Sequence, residues 1–267
     1  MTDRERQKGN THKSIKHFEN QATAEMNRHL ADVPAWTVCQ KLALTARMLA
    51  TEGHGSALAG QITARGEKDG TMWTAKFGLG LDEICASDFL LVDDDLNVHS
   101  GDGMANPSNR FHLWIYRARS DVECVVHTHP PYVSALSMIN VPLVVSHMDT
   151  AMFYDDCAWL QEWPGPPIGD EEGELISRAL GDKHSILLAH HGQLSAGESI
   201  EQAAVLAFHF ERAAKMQLEA MAAGKINPLP AAAGKRAHDY RLKTAPLNAT
   251  FYYYARKALK ASPELLY

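Results

Sequence analysis

Two histidines alternate at the end of an apolar run, in the segment Val125-Val-His-Thr-His129. Alternate residues of a β-strand face the same side of a sheet, so His127 and His129 would lie about 6.5–7 Å apart along the strand. Two imidazoles at that separation can converge on one metal ion if a neighbouring strand supplies a third ligand. The segment therefore predicts a sheet with a metal site at a strand end. The alternative interpretation is a packed or surface pair of histidines.

A second histidine cluster, His190-His191-Gly192, follows the apolar run Ser185–Ala189 and is the natural source of the third ligand. Successive strand residues face opposite sides of a sheet, so only one of these two histidines would join His127 and His129. Three neutral imidazoles that leave one coordination position open are typical of a catalytic zinc site. The chain has 14 histidines among its 267 residues, and at this point both the metal and the packing interpretations stay open.

The charge balance argues against nucleic acid as a partner. Lys and Arg total 26 against 32 Asp and Glu, a net charge of −6 that offers no basic surface to a phosphate backbone. The charged segment Met1–Lys8 lacks the apolar stretch of a signal peptide, and nowhere do about 18 apolar residues run together to span a membrane. Four scattered cysteines without a CxxC pair fit a reducing compartment. We therefore expect a soluble, cytoplasmic protein without a membrane partner.

Hydrophobic spacing and turn residues divide the chain. Residues 1–20 are polar and aperiodic and are predicted to form a flexible arm, followed by a single domain over residues 21–267. Helical spacing occurs in three regions: 22–51 with a break near Pro34, 108–119, and 199–224. Strand-like runs occur at 62–65, 71–74, 89–92, 122–129, 143–146 and 185–189. The prolines of 159–169 predict an irregular loop, and the tyrosines of 252–254 a short amphipathic segment.

A family resemblance is carried by two longer runs that contain the histidine motifs. They are Phe111-His-Leu-Trp-Ile-Tyr-Arg-Ala-Arg-Ser-Asp-Val-Glu-Cys-Val-Val-His-Thr-His-Pro130 and Leu187-Leu-Ala-His-His-Gly-Gln-Leu-Ser-Ala-Gly197. Both resemble the class II aldolase/adducin family, in which the two motifs occur in this order and at this separation. Ala59–Arg65 stands in place of the family's Gly-Asn-x-Ser-x-Arg strand, and the resemblance extends over residues 36 to 225.

This resemblance implies a three-layer α/β/α fold with a central, mainly antiparallel sheet, assembled as a homotetramer. It also implies a divalent metal on three histidines, which by position are His127, His129 and His191, since the family's third ligand directly precedes the glycine. We expect Zn²⁺, with Mn²⁺, Fe²⁺ or Co²⁺ as alternatives. The family includes sugar-phosphate aldolases, an epimerase, a dehydratase, aromatic-acid decarboxylases and the non-catalytic adducin heads.

The chain departs from the aldolases it resembles at the positions that handle protons and phosphate. Where those aldolases carry a catalytic glutamate, this chain has Ser108. Where their phosphate site has an asparagine, this chain has Gln61, and Lys76-Phe-Gly78 and Pro107–Asn109 replace two serine-containing loops. These differences predict a substrate without a phosphate group.

Candidate catalytic residues follow from the same comparison. In the dehydratase branch an acid follows the His-x-His motif, and the nearest carboxylate here is Asp149, within His147-Met-Asp149. The predicted catalytic residues are Asp149, His147 and Ser108, and the alternative for Asp149 is that it caps the segment 150–156. The predicted substrate contacts are Lys76, Asn109, Arg110 and Tyr253, with a solvated role as the alternative for Lys76 and Arg110.

The predicted function is a divalent-metal-dependent carbon–carbon lyase. It would act as a retro-aldolase or decarboxylase on a small, non-phosphorylated hydroxy, keto or aromatic acid, through a metal-stabilised enolate. One alternative is a dehydratase or epimerase on the same metal site, which would keep the carbon skeleton intact. The other is an adducin-like interaction module without catalysis.

Overall fold

A central sheet of eight strands organises the computed structural model, which describes residues 13–163, 165 and 169–267. The strands are β1 (Gln61–Arg65), β2 (Thr71–Ala75), β3 (Phe89–Asp93), β4 (Val98–Ser100), β5 (Cys124–Thr128), β6 (Cys157–Leu160), β7 (Ser185–Leu188) and β8 (Gly192–Gly197). Their order across the sheet is β4-β3-β2-β1-β5-β8-β7-β6. Neighbouring strands are antiparallel except for the parallel pair β6 and β7.

Helices cover both faces of this sheet. The described α-helices are α1 (Ile15–Leu30), α2 (Val38–Leu49), α3 (Arg110–Ala118), α4 (Pro131–Ser137), α5 (Asp170–Leu180), α6 (Ile200–Ala223), α7 (Ala231–Arg241) and α8 (Thr244–Ala261). Short 3₁₀ turns lie at Ala86–Asp88, Pro107–Asn109, Met148–Phe153 and Pro263–Leu266, and a π turn at Ala50–His54.

Two hydrophobic clusters, one on each face of the sheet, hold the layers together. Val126 of β5 belongs to the cluster that contains Phe210 of α6 and Phe251 of α8. Its neighbour Val125 belongs to the second cluster, with Phe111 of α3. Because successive strand residues point to opposite faces, one apolar strand serves both layers. The predicted three-layer α/β/α class with a mainly antiparallel sheet is confirmed.

Capping side chains set the starts of two long helices. At α2, Thr37 Oγ1 accepts a hydrogen bond from the backbone N–H of Gln40, and the Gln40 side chain accepts one from the Thr37 N–H. At α6, Ser199 Oγ accepts from the backbone N–H of Gln202. Each cap satisfies a backbone donor that has no partner inside the helix. The predicted helix over 199–224 is confirmed, and the predicted break near Pro34 separates α1 from α2.

The predicted strand at 143–146 is wrong. This segment runs beside α6, where Val144 N donates to Gln217 Oε1 at 2.7 Å and Gln217 Nε2 donates to the Pro142 carbonyl at 2.9 Å. The Val145 carbonyl accepts from Leu229 N at 2.9 Å. These contacts occupy backbone groups that a neighbouring strand would need, so an apolar run of β-forming residues stays outside the sheet.

The structure also sets different boundaries for the predicted N-terminal arm and for the predicted proline-containing loop. Helix α1 begins at Ile15, inside the predicted arm 1–20, because Ser14 caps it and one of its faces packs on α8. Strand β6 takes the first two residues of the predicted loop 159–169. Residues 1–12 of the arm, and positions 164 and 166–168 of the loop, lie outside the described residues.

Candidate metal centre

Three histidines meet at one edge of the sheet. His127 is in β5, His129 follows the last residue of that strand, and His191 lies in the turn between β7 and β8. One ligand nitrogen from each lies within 4.8 Å of the other two, and the ring centroids are 4.6–4.7 Å apart. Because β5 and β8 are antiparallel neighbours, the end of β5 and the start of β8 fall at the same edge.

One hydrogen bond orients His127 for ligation. Its Nδ1 donates to the carbonyl oxygen of Gln193 at 2.9 Å, and since a carbonyl only accepts, the neutral ring keeps its lone pair on Nε2. That Nε2 lies 2.8 Å from Nε2 of His129. Ligating histidines commonly donate their other ring N–H to a carbonyl group in this way. The arrangement fits a cation held between the ring nitrogens.

Burial keeps the three rings neutral near pH 7. It lowers the pKa of His127 well below the usual range, and the neighbouring imidazoles of His191 and His129 add to this effect. Burial also lowers the pKa of His191 to about 4 and lowers the pKa of His129. Metal ligation requires a neutral imidazole, so the three rings are ready to bind without losing a proton at neutral pH.

The turn before β8 decides which of the adjacent histidines faces the cluster. His190 and His191 lie in the turn between β7 and β8, so strand alternation is the wrong reason for their separation. His190 is exposed with a left-handed φ of 57°, which turns the chain so that His191 faces inward. Gly192 follows because a Cβ atom there would lie 2.6 Å from the Thr128 carbonyl and 2.8 Å from Cδ2 of His129.

A cavity of about 450 Å³ opens beside the histidines. Ser108, Gln61 and Asn106 are the other polar side chains that line it, and Leu58 and Phe77 form a partly exposed apolar rim. Among the described residues, no carboxylate, lysine or arginine lines this cavity. Its volume suits a small-molecule substrate. Of the predicted catalytic residues, Ser108 is the one that the chain places in it.

A buried polar chain supports the histidines from the opposite face of β5. Thr128, between the two candidate ligands, accepts a hydrogen bond from Gln193 Nε2 at 2.7 Å, and its Oγ1 lies 2.9 Å from Nδ1 of His54. Ser195 Oγ donates to Gln193 Oε1 at 2.9 Å. These hydrogen bonds were not predicted from the sequence. The strand alternation that pairs His127 with His129 also places Thr128 on the other face of β5, so the position of Thr128 could have been predicted, although its partners could not.

The predicted substrate contacts near the cavity are only partly brought together. Lys76 Nζ lies 2.5 Å from Oδ1 of Asp88, and Asn109 is fully buried; both line a small recess next to the cavity. Arg110 instead points away, because its guanidinium donates to Asp170 at the start of α5, at 2.7 Å. The solvated alternative for Arg110 therefore fits this chain better than a substrate contact.

The chain does not bring His147, Asp149 or Tyr253 into the cavity. The side chain of His147 caps the 3₁₀ turn by accepting from Asp149 N, so the cap is His147 and not Asp149. The Asp149 carboxylate accepts from Arg212 at 3.2 Å. Tyr253 is half exposed on α8, with the Lys257 ammonium 5.7 Å from the centre of its ring. All three lie at the surface of the helical layer that contains α6 and α8.

Comparison with known proteins agrees with this geometry. The model of the domain described as Class II Aldolase and Adducin N-terminal domain matches residues 40–218, which include all three histidines. The chain belongs to the class II aldolase and adducin family. The resemblance found in the two histidine motifs is confirmed.

Several class II aldolase/adducin relatives carry informative names. The chain is 31% identical over 178 residues to a 4-hydroxy-3-prenylphenylpyruvate oxygenase/4-hydroxy-3-prenylbenzoate synthase of Streptomyces roseochromogenus, covering 65% of this chain and 64% of that protein. It is 31% identical over 177 residues to the decarboxylase NovR of Streptomyces niveus, covering 65% and 66%. The structure of an L-fuculose 1-phosphate aldolase from Glaciozyma antarctica matches with a TM-score of 0.80 and 25% identity, covering 90% and 98%.

Two further observations bear on partners and compartment. Within the described part of the chain, no helix combines the length and apolar character needed to cross a bilayer. The four cysteines, Cys39, Cys85, Cys124 and Cys157, are free thiols.

Proposed function

We propose that this protein is a divalent-metal-dependent carbon–carbon lyase, a decarboxylase or retro-aldolase, that acts on a small acid without a phosphate group. One observation carries the proposal: three neutral histidines with converging nitrogens lie at the wall of a cavity of about 450 Å³. Family relatives whose names describe a decarboxylase and an aldolase support the reaction class.

The proposed metal ligands are His127, His129 and His191, with Zn²⁺ as the expected ion. When bound, a divalent cation supplies Lewis-acid stabilisation of the negative charge that develops as a carbon–carbon bond breaks. The Gln193 carbonyl holds the His127 ring in the tautomer that ligation needs. The rim of Leu58 and Phe77 would shield the reacting carbon from water and would pack against an aromatic or aliphatic substrate.

The charge pattern supports a substrate without phosphate. Among the described residues that line the cavity and the small recess next to it, Lys76 is the one cation, and the Asp88 carboxylate neutralises its charge. A phosphate dianion would therefore find no unpaired positive charge there. The name of the Streptomyces roseochromogenus relative, a 4-hydroxy-3-prenylphenylpyruvate oxygenase/4-hydroxy-3-prenylbenzoate synthase, supports an aromatic acid as a substrate class to test first.

A second copy of the chain is proposed to complete the site. Ser108 is a poor acid or base at neutral pH, and the described residues that line the cavity of one chain include no carboxylate. Asp149 lies at the surface beside Met148, a methionine that is 65% exposed. We propose that the protein is a homotetramer in which Asp149 transfers a proton in the cavity of a neighbouring chain, with Tyr253 contacting the substrate from the same direction. The free thiols fit a cytoplasmic location.

The test is a substrate screen on metal-stripped and metal-reloaded protein. Chelator-treated protein is reloaded with Zn²⁺, Mn²⁺, Fe²⁺ or Co²⁺ and incubated with hydroxy acids, keto acids and hydroxybenzoates, while CO₂ and aldehyde are measured by mass. Release that is lost on stripping and regained on reloading supports the lyase. A product with an intact carbon skeleton would indicate a dehydratase or epimerase, and bound metal without any turnover would favour an interaction module.

A further inference from the structure

A small recess opens off the three-histidine cavity. It has a volume of about 30 Å³ and shares Leu58, Gln61, Phe77 and Asn106 with the cavity. Gln61 pairs with His127 across β1 and β5, so the recess begins one strand away from a candidate metal ligand. A space of this size holds about one or two water-sized groups. It is large enough for a hydroxyl group.

Two of the side chains that line this recess, Gln61 and Asn109, carry an amide oxygen that has no hydrogen-bond partner among the described residues. Asn109 is 0% exposed, and its Nδ2 donates to Thr74 Oγ1 at 2.8 Å, which leaves Oδ1 buried and unpaired. Gln61 Oε1 is likewise buried and unpaired. An unpaired buried acceptor costs about 1–3 kcal/mol, so two at one recess call for a donor that arrives with a ligand.

The charges around the recess select the kind of donor. Lys76 reaches the recess, but Asp88 holds its ammonium at 2.5 Å. The remaining described lining residues are uncharged. Two carbonyl-type acceptors repel the oxygens of a phosphate or carboxylate and attract an O–H group. The recess is therefore complementary to a neutral donor.

We propose that Gln61 and Asn109 form a subsite in which a hydroxyl group, at the end of the substrate remote from the metal, donates its one hydrogen to one of the two amide oxygens. The substrate class is then a hydroxylated acid, and analogues that lack the hydroxyl or carry a phosphate in its place bind less well. This inference rests on the proposed function, because the substrate's other end must bind at the three histidines.

The test uses hydroxamates, which chelate metal ions through two oxygens and differ here only at the far end. The probes are acetohydroxamate, glycolohydroxamate, 3-hydroxypropionohydroxamate and phosphoglycolohydroxamate. Their dissociation constants are measured by calorimetry on the zinc-loaded full chain, on Gln61→Met and Asn109→Leu, and on Ser185→Ala. Ser185 Oγ is also buried and unpaired but lies on β7, outside the recess, so it is the matched control.

We expect one of the hydroxylated probes to bind about five- to tenfold more tightly than acetohydroxamate, with the phosphorylated probe no tighter than acetohydroxamate. At least one of Gln61→Met and Asn109→Leu should erase that preference while zinc content and acetohydroxamate affinity stay unchanged, and Ser185→Ala should retain it. If Asn109→Leu fails to fold, Asn109→Ser takes its place.

Three results would overturn the subsite: no hydroxyl preference in the unmodified chain, a preference that survives both substitutions, or tightest binding of the phosphorylated probe. Failure of every hydroxamate to bind zinc-loaded protein would instead overturn the proposed metal centre, and the subsite with it. The acetohydroxamate measurement thus separates the two failures.

Discussion

Histidines occur in two clusters of this protein with opposite electrostatics. Around the cavity, His127, His129 and His191 face one another with no carboxylate among the described lining residues, and burial lowers their pKa values. At the other cluster, His184 Nδ1 and His238 Nε2 lie 2.7 and 3.0 Å from the same Oδ2 of Asp156. There the hydrogen bond to Asp156 raises the pKa of both histidines.

The comparison shows that the neighbours of a histidine decide its role. Burial alone would raise the pKa of Asp156, but the hydrogen bonds from His184 and His238 outweigh it and lower the pKa to about 2. This cluster therefore carries charge and ties α7 to the start of β7. The three cavity histidines stay neutral with lone pairs available, which suits a metal ligand.

The sharpest test of this difference is to remove one histidine from each cluster. His129→Ala should abolish zinc retention and lower turnover at least about a thousandfold, since a Lewis-acid ion contributes several kcal/mol to the reaction. His238→Ala should leave zinc content and turnover unchanged. Metal analysis and product release measured on both purified variants check this, and zinc loss from His238→Ala would erase the distinction.

Loss of the proposed proton-transfer group is expected to have the next largest effect on turnover. Asp149→Asn should retain zinc and the oligomer but lower turnover at least about a hundredfold, the low end for losing a general acid or base. Because the proposal places Asp149 in a neighbouring chain's cavity, mixing it with His191→Ala should restore activity through hybrid oligomers. Turnover close to that of the unmodified protein in Asp149→Asn, or mixtures as inactive as their parents, would reject this role.

The carboxylate cluster predicts a smaller effect on stability that depends on pH. Histidines whose pKa is raised by folding contribute stability that is complete below the unfolded value of about 6.5 and is lost as pH rises through the folded value. Asp156 stays ionised above its unfolded value. Asp156→Asn should therefore lower the free energy of unfolding by about 2 kcal/mol at pH 6. At pH 8.5 the loss should be about 1 kcal/mol smaller; both figures allow for the partial exposure of the three side chains.

Urea unfolding of the unmodified protein and of Asp156→Asn, at pH 6 and at pH 8.5, measures this difference. The control is His17→Ala, at an exposed histidine of α1 outside this cluster, measured at the same two pH values. A cost for Asp156→Asn that is equal at pH 6 and pH 8.5, or larger at pH 8.5, would mean that the two histidines are not charged partners of Asp156.

Sequence predicted the fold where local signals and packing agreed. The residues before His127 form a continuous apolar run because β5 is buried on both faces, and α6 has both a Ser199 cap and a largely apolar buried surface. The prediction of a strand at 143–146 was wrong because the Gln217 side chain, more than 70 residues away, binds the backbone of this segment and overrides its strand propensity. A contact between residues so far apart in sequence cannot be predicted from local hydrophobic spacing.

The clustering of the three candidate metal ligands was predicted better than the residues around them. Alternation and the His-His-Gly motif located the three histidines, whereas the turn geometry that separates His190 from His191 depends on a left-handed residue that no spacing reveals. The pairing of Arg110 with Asp170 joins residues 60 positions apart, so local spacing could not predict it. Asp149 remains a prediction that depends on a second copy of the chain.

Zinc titration of chelator-stripped protein by calorimetry, with His190→Ala and His191→Ala side by side, tests the proposed three-histidine site most directly. We expect one zinc ion per chain for the unmodified protein and for His190→Ala, and no tight binding for His191→Ala. Both variants should give the same far-UV spectrum, which shows that they are folded. Equal zinc affinity in folded His190→Ala and His191→Ala would rule out His191 as the third ligand.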